Sequence, residues 1–386
     1  MLIFLQLNHF FQDERQNVVP NDPLFKMQWS LTDADINWKG GADKYLSDSQ
    51  GGSKYGPEVI VAVIDTGVDY NHPDLKNEMW KNPGEIAGNG IDDDNNGIVD
   101  DVYGANFKRW FSIRKKGDPM DDNGHGTHCA GIIAASANNR KGIASVAGIS
   151  KGKVKIMALR ALSFYGAGSL SEFLAALNYA IKHGAKISSN SYGGNANTAI
   201  GDRNNEAFEE ILRKNRQHLF ISAAGNSGGT SREKVGRDYF PGGNRAENHI
   251  SVASSTSLGT KSSFSSFGTP FVHVFAPGSD ILSTWKGGRY AIASGTSMAC
   301  PYVSGLAALI MSMRGNLNGA QVKKLIEDNV QVKSQFKGLV TTGGLIDIDK
   351  TISAAISGDT SGPDPTPAPV CKDNDTVGDA WCRKYR

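Results

Sequence analysis

Val59-Ile60-Val61-Ala62-Val63-Ile64 is an unbroken apolar and largely β-branched run. A strand with one face in water alternates apolar and polar residues, so a run without alternation belongs in a parallel sheet covered on both faces. Similar runs recur at Val154–Leu162, Lys186–Asn190, His218–Ala223, Ile250–Ala253 and Val272–Phe275. Helical periods lie between them. Leu170, Phe173, Leu174, Leu177 and Ile181 fall at spacings of three and four, with Ser169 placed to cap the start and Gly184 to stop the end. Ala207, Ile211 and Leu212 carry the same period in a later helix. Strands separated by crossover helices predict an α/β fold with a doubly wound, mostly parallel sheet flanked by helices. Such sheets hold their reactive groups at the carboxyl ends of strands, so the residues just after these runs come first.

The rest of the chain sets the limits. Of 386 residues, 39% are hydrophobic and 21% charged, well away from the compositions that fail to bury a core. Lys and Arg total 41 against 39 Asp and Glu, a formal net charge of +2. That balance gives no bulk field to attract nucleic acid or an anionic membrane surface. No run of about 18 apolar residues occurs, so no membrane span is expected. Met1–Phe11 is mildly apolar, lacks a basic leading segment and is interrupted by Asn8 and His9, a poor match to a secretory signal. Residues 1–17 are expected to lie outside the core, as a propeptide remnant or a surface extension. Residues 18–356 then form one large domain. From 357 to 370 the composition turns to Pro, Gly, Ser and Asp without an apolar period, which reads as a linker. Residues 371–386 form a stub in which Cys371 and Cys382 are expected to make a local disulfide, hence an oxidising compartment and secretion. The sequon Asn374-Asp375-Thr376 agrees with that location.

Three segments carry candidate chemistry. In Val63-Ile64-Asp65-Thr66-Gly67 an acid ends a buried strand, where its charge is costly unless a neighbour uses it. In Asn123-Gly124-His125-Gly126-Thr127-His128-Cys129 a Gly-flanked histidine opens a helix of small residues. In Ser294-Gly295-Thr296-Ser297-Met298-Ala299-Cys300-Pro301 a serine sits at a helix start, with the proline expected in the first turn, where a missing N–H is tolerated. Singly these read as a strand-end cap, a core histidine and an N-cap serine. Together they supply the acid, base and nucleophile of a Ser-His-Asp relay in the chain order Asp, His, Ser. His125 and His128 as a zinc pair would need a third ligand block, and none lies nearby.

These segments resemble the catalytic blocks of the subtilisin-like serine proteases, the subtilases, and the likeness extends over about residues 21–349. A fourth block, Ile221-Ser222-Ala223-Ala224-Gly225-Asn226, resembles the family motif whose Asn holds the oxyanion, and Cys129 is similar to a free thiol of the thermitase and proteinase K branches. The resemblance implies a three-layer fold and a serine endopeptidase in which Ser297 attacks, His125 moves the proton and Asp65 orients the imidazole. Asn226 and the Ser297 N–H would hold the oxyanion. Ser191, Tyr192 and Gly193 would form one wall of the primary pocket, and Ala223, Ala224 and Gly225 the other. Its floor is expected near Tyr239, where a bulky aromatic would favour small side chains. An extended peptide would add along Ser163–Gly168. The implied partners are protein or peptide substrates and an inhibitory propeptide, bound by a monomer. A catalytically silent peptide binder is the rival reading, but it would call for a damaged triad, and all of its residues are present. A calcium-dependent adhesion module would leave the other blocks unexplained.

Calcium is the expected cofactor. Asp92, Asp94, Asn96 and Asp100 fall at positions 1, 3, 5 and 9 of an EF-hand-like loop, with Gly97 at 6 for the turn, although Tyr103 stands where the bidentate Glu would be. Crowded carboxylates repel one another without a cation. A second site, implied by the resemblance alone, would use Asp22, Asp74 and Asn139.

Overall fold

The computed structural model describes residues 19–32, 36–49, 58–108, 117–195, 198–230 and 233–358. The 1–17 extension, nearly all of the linker and the Cys371–Cys382 stub lie outside the described residues. In chain order the main elements are α1 (Trp29–Thr32), α2 (Trp38–Ser49), β1 (Val59–Asp65), β2 (Gly104–Asn106), α3 (His125–Ala134), β3 (Val154–Arg160), α4 (Leu170–Lys182), β4 (Ile187–Asn190), β5 (Gly194–Asn195) and α5 (Thr198–Lys214). They continue with β6 (Leu219–Ala223), β7 (Tyr239–Phe240), β8 (His249–Ser255), β9 (Val274–Pro277), β10 (Ile281–Trp285), β11 (Arg289–Ala293), α6 (Thr296–Met313), α7 (Gly319–Asp328), β12 (Gln331–Val332), β13 (Gly344–Leu345) and α8 (Ile348–Ser357).

The main sheet has the order β12-β13-β9-β8-β6-β4-β1-β3-β2. All its pairings are parallel except β12 with β13. Each apolar run of the sequence lies in a strand of this sheet. Alternate residues of β1 explain why its run is unbroken. Val61 and Val63 pack into the layer that contains Ile133 of α3 and Leu306 of α6, whereas Ala62 and Ile64 pack into the layer with Phe173 of α4 and Phe208 of α5. Both faces are covered, giving a three-layer α/β fold. The strand order turns at β1, which has β3 on one side and β4 on the other. The crevice at the carboxyl end of such a turning strand is where these sheets bind ligands, and Asp65 stands there.

Two helices show how local chemistry fixes the layers. In α4, Ser169 and Glu172 form a reciprocal capping box, a cap worth about 1 kcal/mol. At its other end Gly184, at φ +81°, donates to Ile181 O while Ala185 donates to Ala180 O, the double closure of a Schellman stop. Helix α6 is apolar on every side and long enough by composition to cross a membrane, yet 94% of it is buried inside the protein. It is therefore a core helix. The last helix includes Ser357 and ends on Gly358 at φ +76°, so the ordered domain reaches slightly into the expected linker.

Candidate active site

Asp65 ends β1, His125 opens α3 and Ser297 is the second residue of α6. His125 Nδ1 lies 2.8 Å from Asp65 Oδ1, which also accepts the Thr66 N–H at 2.7 Å. Asp65 is fully buried, and its second oxygen has no hydrogen-bond partner among the described residues. A buried carboxylate with a spare lone-pair face favours a cation beside it. Burial alone would depress His125, but the Asp65 carboxylate beside it outweighs burial and holds the imidazole well above its usual 6.5.

The approach of α3 to β1 depends on Gly126 of the quoted motif and on Asp121, which the sequence did not single out. Gly126 is needed because a Cβ there would stand 2.1 Å from Gly67 O and 3.0 Å from Asp65 Cβ. Buried Asp121 ties the segment down. Its Oδ1 accepts from Thr66 Oγ1 and the Gly124 N–H, and its Oδ2 from the Thr127 N–H. The only sequence signal is an acid four positions before a helix-opening histidine.

Ser297 Oγ donates to Ser191 O at 3.0 Å, and Ser191 Oγ donates back to Ser297 O at 2.8 Å. In this resting rotamer the Ser297 hydroxyl is not bonded to His125, although both line one cleft of about 680 Å³ together with Thr66 and Asn226. Rotation about the serine Cα–Cβ bond redirects the hydroxyl, and such bonds commonly tighten only with substrate present. Pro301 corrects an expectation. It lies in the second turn of α6, not the first, and removes the N–H that would have bonded Ser297 O. That carbonyl is left to accept from Ser191 Oγ and, at 3.5 Å, from Cys129 Sγ.

Asn226 Oδ1 accepts from the Thr296 N–H at 2.9 Å and Thr296 Oγ1 at 3.0 Å. A backbone N–H is always a donor, so this bond fixes the amide orientation and leaves Nδ2 free on the cleft side. The Ser297 N–H, in the first turn, is among the donors a helix start leaves without a carbonyl. The two donors lie close together, 3.5 and 3.6 Å from the position a Cβ on Gly295 would take.

Three further titratable side chains, His128, Cys129 and Cys300, lie close by. His128 Nε2 faces Ile281 O and Ala291 O, both at 3.1 Å, and burial pulls its pKa down to about 4. His128 joins no group of three metal-ligating side chains among the described residues, so a zinc pair with His125 finds no third ligand there. Asp65, His125 and Cys129 do cluster within 4.8 Å, but the Asp-His contact is already a hydrogen bond and burial pushes the Cys129 thiol up, so the sulfur stays protonated. Cys300 sits near Ile221 O and Ser189 Oγ with its pKa pushed up to about 12 by burial, inside the α6 core.

Of the expected pocket walls, Ser191, Tyr192, Gly193, Ala223 and Gly225 line the cleft. Ala224 is fully buried behind its wall and is not among the lining residues. Tyr192 is stacked on Phe173 at 4.0 Å. Ser163–Gly168 is a turn and not a strand, closed by Ser163 N–H to Ala167 O and Gly166 N–H to Ser163 O, with Tyr165–Gly168 along the cleft rim.

The acidic loop assembles differently from its spacing. Glu85, Asp92 and Asp94 bring carboxylate oxygens within 4.8 Å of one another. Asp100 is not part of this group; its oxygens turn to the Gly88 and Gly90 N–H groups at 2.7 and 3.0 Å. Asn96 packs beside Asp94, its Nδ2 3.0 Å from Asp94 Oδ2. The set is all hard oxygen, the donor chemistry of calcium. At the second place, Asp22 accepts the Asn138 and Asn139 N–H groups, while Asp74 accepts Asn139 Nδ2 and the Tyr290 hydroxyl. Both acids are buried. The three expected residues meet there, the two acids offering carboxylate oxygens while Asn139 faces Asp74 with its amide nitrogen and turns its Oδ1 to the Lys141 N–H.

Comparisons agree with this geometry. The profile of the peptidase S8 subtilase family matches residues 56–350. Thermitase of Thermoactinomyces vulgaris is 34% identical over 294 residues, 76% of this chain and 85% of that protein. Subtilisin-like protease 1 of Plasmodium falciparum is 33% identical over 351 residues, 87% of this chain but 48% of that protein. The crystal structure of a cold adapted subtilisin-like serine proteinase superposes with a TM-score of 0.52 at 28% identity, covering 76% of this chain and 88% of that one. The chain spans about half the length of the Plasmodium relatives it matches.

Proposed function

Since this chain belongs to the subtilase family, we propose that it is a serine endopeptidase that cleaves peptide bonds through Ser297, His125 and Asp65. The observation that carries this reading is the Asp65–His125 pair at the turning strand, sharing its cleft with Ser297 and the free Asn226 Nδ2. Ser297 Oγ attacks the scissile carbonyl, and His125 Nε2 takes its proton while Nδ1–H stays donated to Asp65. The oxygen that becomes negative meets Asn226 Nδ2 and the Ser297 N–H. The C–N bond then breaks, His125 protonates the leaving amine, and water releases the acyl group by the same path. The substrate runs as an extended segment along the 165–168 rim, and an inhibitory propeptide would compete for that path. The secretory-pathway reading rests on the Cys371 and Cys382 spacing and the Asn374 sequon.

Replacing Asn226→Leu is expected to lower kcat by about 100- to 1000-fold with little change in KM, a magnitude taken over from subtilisin. Steady-state hydrolysis of a fluorogenic peptide measures it, and an effect confined to KM would mean that Asn226 binds ground-state substrate instead.

Calcium would be held by Glu85, Asp92 and Asp94 with Asn96, and by Asp22, Asp74 and Asn139. Once bound it would neutralise these clustered carboxylates and hold their loops. A cation present at 100 times its Kd stabilises the native state by about 2.7 kcal/mol. Chelation is therefore expected to lower Tm by about 5 °C or more. Glu85→Gln should shrink the calcium-dependent part of Tm in thermal denaturation, while Asp100→Asn leaves that part intact. The opposite ranking would restore the spacing-based ligand set.

A further inference from the structure

The cleft beside Ser297 is blocked at the place where a substrate side chain would enter. A Cβ built on Gly193 would lie 2.4 Å from the Tyr239 hydroxyl, and one built on Gly225 would lie 2.6 Å from both its Cζ and its hydroxyl. The end of the Tyr239 ring is therefore wedged between the two glycine walls. Only 8% of the residue is exposed, yet it lines the cleft that holds Ser297, Asn226 and His125. Among the described residues its hydroxyl has no hydrogen-bond partner, and it opens onto the cleft. The backbone beneath it is held firmly. Strand β7 pairs with β5, joining Gly194 to Phe240 and Asn195 to Tyr239, and Tyr239 O accepts from the Gly243 N–H at 2.6 Å and Asn205 Nδ2 at 3.3 Å.

We propose that Tyr239 is a specificity-determining residue: its ring closes the floor of the primary pocket, so that the residue whose carbonyl Ser297 attacks carries a small side chain of glycine, alanine or serine size. This rests on the peptidase reading above. The wedge excludes by volume, since an aromatic substrate side chain would need the space the ring already fills. The unpaired hydroxyl adds a polar preference. A serine side chain in the shortened pocket replaces the hydroxyl's water contacts with a direct hydrogen bond, whereas alanine displaces that water without offering a partner.

The test uses the full chain with calcium and a matched set of peptide anilides that differ only in the residue before the scissile bond, Ser, Ala, Leu or Phe. Active sites are first counted with a fluorophosphonate. The wild type is expected to favour Ser and Ala over Phe by about 100-fold or more in kcat/KM. Tyr239→Ala should raise the Phe rate and lose that ratio. Tyr239→Leu, which keeps more of the core filled, should move the same way with Leu substrates. Tyr239→Phe should keep the size limit while bringing Ser down to the level of Ala. A wild type that cleaves after Phe as fast as after Ala would overturn the proposal, as would an unchanged ratio in a folded, titratable Tyr239→Ala or Tyr239→Leu. Absence of both labelling and hydrolysis for every substrate would instead overturn the peptidase reading itself.

Discussion

Ser297→Ala is expected to lower kcat by about a million-fold while the protein stays folded, a magnitude carried over from subtilisin. The argument for a clean loss is local. The hydroxyl makes one hydrogen bond, to Ser191 O, and such a bond contributes only about 0.5 to 1.5 kcal/mol to stability. The reciprocal bond from Ser191 Oγ to Ser297 O survives the change, because it uses the backbone carbonyl that Pro301 leaves free. Thermal denaturation should therefore shift by a few degrees at most. Burst and steady-state kinetics on one peptide substrate measure the loss. Activity within tenfold of wild type would mean that another group is the nucleophile.

Asp65→Asn is the second large effect, about 10⁴-fold in kcat. The two side chains have nearly the same shape, so packing around β1 is preserved. What changes is the proton on His125. The carboxylate can only accept, which keeps the hydrogen on Nδ1 and leaves Nε2 open to receive the Ser297 proton. An amide can present its N–H to Nδ1, which places the hydrogen on Nε2 and disables the base. The charge matters as well. Asp65 helps hold His125 well above 6.5, and only the neutral imidazole accepts a proton. The acid limb of kcat/KM should therefore lie above pH 6.5 in the wild type and fall in Asp65→Asn. The linked stability has the opposite sense. A histidine whose folded pKa is raised contributes stability that is complete below its unfolded value of about 6.5 and is lost as pH rises through the folded value. A pH profile of kcat/KM for both proteins measures the shift, and an acid limb that does not move would remove Asp65 from this role.

The fold was legible because its signals are local and repeated. An unbroken apolar run such as Val59–Ile64 has few ways to be buried, and the caps at Ser169 and Gly184 are short-range chemistry. The triad blocks were legible as residue types, and their meeting follows from where β1, α3 and α6 begin and end. What escaped the sequence depends on contacts between distant segments. Asp100 has the spacing of a loop ligand, but its backbone at φ +53° accompanies a carboxylate that turns back onto Gly88 and Gly90, while Glu85 enters from a separate turn. Pro301 looks like a helix-start proline until the partners of Ser297 O are known. Resemblance alone puts Tyr239 near the pocket floor, and its approach to Gly193 and Gly225 is visible only once β5 and β7 pair.

The most direct measurement is reaction of the folded, calcium-loaded protein with a fluorophosphonate, followed by peptide mapping. The account predicts a single covalent adduct on Ser297, abolished in Ser297→Ala and formed faster as pH rises and His125 loses its proton. An adduct on a different serine, or none in a protein shown to be folded and free of bound inhibitor, would contradict it.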